Sequence, residues 1–158
     1  MALRKIASVP IALAVLLALA VGLIGMTKSA GADDGGRPFS TTLTGEAEVT
    51  AAGVPNQGDL DGIGTVSMTL NLGQGEICYS LSVSGIDPAT AAHIHVGTAN
   101  TTGPVVVPLA APTSGESSAC ASASRELIKA IIQNPADYYV NVHNAAFPAG
   151  AIRGQLSK

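Results

Sequence analysis

Tryptophan is absent from the 158 residues, and aromatic side chains are confined to Phe39, Phe147, Tyr79, Tyr138 and Tyr139. A core built from this chain must therefore be aliphatic. Charged residues are also scarce, at 12%, and no run of Lys or Arg occurs. That argues against nucleic acid and against anionic lipid surfaces as partners. The chain has no Gly-x-Ser-x-Gly elbow, no phosphate-binding loop, no serine in evident relay with histidine and no paired carboxylates of the glycosidase kind. Asp59-Leu60-Asp61-Gly62 opens like a calcium loop, but no acid closes it at the needed spacing, so it reads as a turn. Histidine is limited to three residues and cysteine to two.

What is present begins with a leader. Arg4 and Lys5 precede an apolar stretch from Ile6 to Met26, and Lys28 and small residues follow. This is the layout of a secretory signal over residues 1–32, with Ala30-Gly31-Ala32 placing cleavage after Ala32, or secondarily after Ala30. The apolar stretch is also long enough to span a bilayer, so an uncleaved N-terminal anchor is the alternative. In both cases the remainder is exported to a secreted or cell-envelope location, touching the membrane only through an uncut leader. Removing Arg4, Lys5 and Lys28 leaves five basic against eleven acidic residues, a net charge of −6. A mature chain of about 126 residues suffices for one domain. In an oxidising compartment Cys78 and Cys120 are expected to pair, and closing their loop stabilises the fold by roughly 4 kcal/mol.

Residues 33–38 read as a linker and 39–158 as one β domain. Val66, Met68, Leu70 and Leu72 alternate with polar residues, and the alternation resumes at Ile77, Tyr79, Leu81 and Val83. This period of two marks half-buried strands, and Gly73-Gln74-Gly75 between them makes a hairpin. Phe39–Val49, Ala91–Val96, Val105–Val107, Tyr138–His143 and Ala151–Leu156 supply further strands. One helix is expected near residues 124–133, where Leu127, Ile128, Ile131 and Ile132 form an apolar stripe ended by Asn134-Pro135. The fold class is mainly β: an antiparallel sandwich, immunoglobulin-like or superoxide-dismutase-like, or a barrel.

The chemistry lies in two of these strands. Residues two apart share a face, so His93 and His95 project together, as do Tyr139, Asn141 and His143. If the two strands are neighbours, His93, His95 and His143 converge as a three-imidazole copper or zinc site with an open position. The alternative is that these are ordinary strand histidines bonded to backbone or hydroxyl groups. A final hairpin centred on Phe147 sets Asn141 opposite Arg153 and Tyr139 opposite Gln155. Tyr139, Asn141 and Arg153 then back the histidines, with Arg153 either guiding anions or serving as a hydrogen-bond hub.

The segments resemble the CHRD domain, the module named after repeats in chordin and found also in bacterial exported proteins. The resemblance is carried by Leu43-Thr44-Gly45-Glu46-Ala47-Glu48-Val49, Cys78-Tyr79-Ser80-Leu81, Ala91-Ala92-His93-Ile94-His95-Val96-Gly97 and Gly103-Pro104-Val105-Val106-Val107. Tyr138-Tyr139-Val140-Asn141-Val142-His143 and Phe147 to Leu156 complete it in order. The chain departs from the family where a proline pair commonly follows the Glu-Val, having Thr50-Ala51-Ala52-Gly53-Val54-Pro55 instead. The resemblance implies an extracellular β-sandwich and no particular reaction. A fainter likeness is to copper/zinc superoxide dismutase, which has a His-x-His strand and an anion-guiding arginine. The further histidines and zinc-site aspartate pattern of that enzyme are missing here. Two functions follow as expectations: a non-enzymatic binding or structural module for a protein or envelope component, and a copper- or zinc-binding protein, redox active in its fuller form.

Overall fold

The computed structural model describes residues 36–157, so the expected leader lies outside the described residues. Eight strands form: β1 (Arg37–Thr44), β2 (Ile63–Asn71), β3 (Glu76–Ser84), β4 (Ala89–Val96), β5 (Val105–Leu109), β6 (Glu116–Ser122), β7 (Tyr138–Asn144) and β8 (Ile152–Gln155). One helix, α1 (Arg125–Gln133), lies between β6 and β7. All neighbours pair antiparallel in the order β5-β4-β7-β8-β1-β2-β3-β6. The two ends of this sheet come back toward each other. Ser117 Oγ on β6 donates to the Ala110 carbonyl just past β5 at 2.8 Å, and the Ala110 N–H donates to Tyr79 Oη at 2.6 Å. The mainly antiparallel class holds, and its layers are one nearly closed, barrel-like sheet rather than two separate sheets.

The alternation in β2 and β3 has the expected effect. Val66, Met68 and Leu70 of β2 and Ile77, Tyr79 and Leu81 of β3 are buried, while Thr65, Ser67 and Thr69 are exposed. Ile94, Val140, Val142 and Ile152 join them, so the core is the barrel interior and is aliphatic as required. Burial of each such side chain stabilises the fold by about 1.5–3 kcal/mol. The helix packs Ile128 and Ile131 inward, and Ser124 caps its start by accepting from the Leu127 N–H at 3.1 Å.

Three details differ from the sequence expectation. β1 begins at Arg37, inside the expected linker, because its backbone ladder to β2 extends to Arg37 opposite Leu70. It ends at Thr44 rather than near Val49, because Gly45 turns tightly against the Asp59 backbone, a contact that any side chain would obstruct. β6 was not expected at all. Its residues are small and mostly exposed, so no alternating pattern announces it.

β6 places Cys120 directly opposite Cys78 of β3, and the two form a disulfide. Replacing both, Cys78→Ala with Cys120→Ala, is expected to lower unfolding free energy by about 2–4 kcal/mol in urea titrations. A loss below about 1 kcal/mol would show that the β3–β6 pairing alone holds that edge.

Candidate functional site

The outer face of β4, β7 and β8 carries the polar residues that the barrel interior rejects. Register fixes their rows. His93 lies opposite Asn141, which lies opposite Arg153, and His95 lies opposite Tyr139, which lies opposite Gln155. His143 sits one step along, opposite Ala91. The facing pairs Asn141 with Arg153 and Tyr139 with Gln155 are those that the Phe147-centred hairpin predicts. A β-bulge between Ile94 and His95 interrupts pairing with β5 beside the second histidine, a device that re-aims a side chain.

The three imidazoles converge. Ring centroids lie 5.0 Å apart for His93 and His143, 5.4 Å for His93 and His95, and 6.3 Å for His95 and His143. His93 Nδ1 is 3.1 Å from His143 Nε2, and one nitrogen from each ring lies within 4.8 Å of the others. Tetrahedral ligands about 2.0–2.1 Å from an ion are separated by about 3.4 Å, so these distances bracket what a shared metal needs.

Backbone carbonyls set the ring orientations. His95 Nδ1 donates to the Gly103 carbonyl at 2.8 Å, and His143 Nδ1 donates to the Pro148 carbonyl at 3.1 Å. A nitrogen facing a carbonyl must carry the hydrogen, so in the neutral rings both Nε2 atoms present lone pairs. His95 is 8% exposed, and its Nε2 is buried with no hydrogen-bond partner. Burial, then the neighbouring positive imidazoles, push the His93 ring toward its neutral form. Burial does the same to His143, opposed by its bond to Pro148. Neutral imidazole is the form that ligates metal.

Behind the histidines is a buried polar layer. Tyr139 stacks on His95 with ring centroids 4.8 Å apart, and the Arg153 guanidinium lies 3.4 Å from the Tyr139 ring centroid. Arg153 is 1% exposed and donates to the carbonyls of Thr98 and Thr101 at 2.7 and 2.9 Å. Those carbonyls belong to a turn closed by the Thr101 N–H on the Thr98 carbonyl. The guanidinium thus works as a hub that pins the 97–104 loop over His95. Both terminal nitrogens are thus engaged on carbonyls, and the side chain is almost fully shielded from solvent.

Glu48 belongs to the same layer, and sequence reading missed it. Its carboxylate packs against Gly150, where any side chain would collide with it and where φ is 150°. Burial pushes its pKa up to about 7, against the opposing effects of the Arg153 charge, a hydrogen bond from Asn141 and one from the Val49 N–H. Glu48 Oε1 and Asn141 Oδ1 are both buried acceptors without a protein partner. A proton on Glu48 converts one of them to a donor. The only sequence signal for Glu48 was its place in the opening motif Leu43 to Val49. The carbonyls of Gly103 and Pro148 carried none, since every residue has one.

A barrel-like antiparallel domain with a buried polar layer and a three-histidine cluster on its outer face defines the class. The model of the CHRD domain family matches residues 39–156, and the chain belongs to that family. No curated protein and no solved structure matches it. The family and the Cys78–Cys120 disulfide are consistent with an extracellular location.

Glu48 gives a pH signature. Unfolded, its carboxyl loses the proton near 4.5, and folded near 7, so the folded state holds more protons between those values. Its contribution to stability is therefore greatest at low pH and declines as pH rises to 7, by roughly 3 kcal/mol. Glu48→Gln removes this decline. Urea unfolding of both proteins from pH 4 to 8 should give similar stability at the acid end and a variant more stable by about 3 kcal/mol above pH 7. Parallel curves would show that the carboxyl is not proton-loaded by the fold.

Proposed function

We propose that this domain is an exported metal-binding module, secreted or held in the cell envelope, that holds one copper or zinc ion on His93, His95 and His143. The observation that carries the reading is the His95 Nε2 atom, buried, without a partner, and with its tautomer set by the Gly103 carbonyl. Leaving such an acceptor unpaired costs about 1–3 kcal/mol, which a bound cation would recover. Protein sites that bind metal through histidine almost always have the far ring nitrogen donating to a carbonyl or carboxylate. Gly103 and Pro148 supply that feature for two of the three rings. Imidazole ligands suit zinc and copper. The leader supports export, because it places the site where a cell meets external metal.

The purified protein, stripped by mild chelation and reloaded with copper or zinc, is expected to take up one ion per chain. His95→Ala should weaken binding by more than the about 10–100-fold seen when only an outer partner is lost. Circular dichroism distinguishes lost ligation from lost folding. Uptake below stoichiometry, or uptake indifferent to His95→Ala in a folded variant, would remove the proposal.

A further inference from the structure

We infer that the metal centre keeps a coordination position open to solvent and takes a small anion there. This rests on the reading of the preceding subsection. Among the described residues, no fourth His, Cys, Asp or Glu joins His93, His95 and His143 in the cluster. Closed structural zinc sites use four protein ligands, whereas three ligands leave a place for water or an exogenous group. The three rings are not equally covered. His95 is buried beneath the 97–104 loop, while His93 and His143 are half-buried, so the cluster opens on the side of those two rings.

Charge decides what enters. Three neutral imidazoles leave a divalent ion with its full charge, since no carboxylate or thiolate is in the set. The buried carboxylate of Glu48 is 4% exposed, interacts with Asn141 and Arg153, and is not part of the cluster. The Arg153 guanidinium lies beyond the stacked Tyr139 ring with its donors on the Thr98 and Thr101 carbonyls, so the attraction for an anion comes from the ion itself. Both Cys78 and Cys120 are tied up in their disulfide, so no thiolate competes. The fitting ligand is a compact monoanion of hydroxide, halide or pseudohalide size that replaces a bound water, with no other bond made or broken.

Azide is a suitable probe because it gives a charge-transfer band when it binds Cu(II). Full-length protein loaded with one Cu(II) per chain is titrated with azide and followed by absorption and electron paramagnetic resonance. The expected result is a saturable one-site band with a matching shift in the resonance spectrum, the copper staying with the protein on ultrafiltration. Stoichiometric, His95-dependent copper whose spectra azide leaves unmoved would overturn the open position while leaving the metal reading standing. Copper appearing in the filtrate as azide is added would overturn it too, as competition rather than binding. Failure of copper to load at all would sink both readings together.

Discussion

Arg153 carries a charge that burial opposes, and the outer layer of this barrel is arranged to meet that charge. Its donors end on the carbonyls of Thr98 and Thr101, and its planar face lies on Tyr139. Hydrogen bonds from an ionised donor are stronger than neutral ones, and a guanidinium stacks where an ammonium would not. The chain of contacts then runs outward. Arg153 sets Tyr139, Tyr139 sets His95 by stacking, and the loop held by Arg153 brings the Gly103 carbonyl to the far side of the same imidazole. Orientation of the buried histidine is thus a consequence of satisfying one cation.

That arrangement explains why β7 is buried on both faces. Tyr138, Val140 and Val142 belong to the interior, and Tyr139 and Asn141 lie beneath loops on the outside. Buried polar groups in proteins are almost always hydrogen-bonded. Here Glu48 Oε1, Asn141 Oδ1 and His95 Nε2 are not, and all three lie in the outer polar layer around Arg153, Tyr139 and the histidines. These are three of the four such groups among the described residues, Asn144 Nδ2 being the fourth, and their gathering in one layer is the pattern of a site that trades local stability for chemistry.

The parts of the fold set by local periodicity were legible in the sequence. Strands β2 and β3 announced themselves because Val66, Met68 and Leu70 alternate with hydroxyl side chains, and α1 because its isoleucines recur at helical spacing. The shared face of the histidines followed from parity, and the register across β7 and β8 from the centre of one loop. Three things were not legible. β6 has no apolar face to reveal it. Closure of the sheet depends on Tyr79 reaching Ala110, a contact between segments 31 residues apart. The partners that orient the histidines are main-chain carbonyls, which no residue type encodes, and a lone glutamate reads as surface until loops are folded over it.

Closure of the sheet has a consequence for self-association. Exposed strand borders recruit other chains, and extended proteins at high local concentration are vulnerable to fibril growth. In this molecule the two outermost strands face each other across a seam bridged by Ser117, and β5 carries Pro108, whose nitrogen has no hydrogen to offer an incoming strand. The barrel therefore presents little template for cross-β addition of further copies.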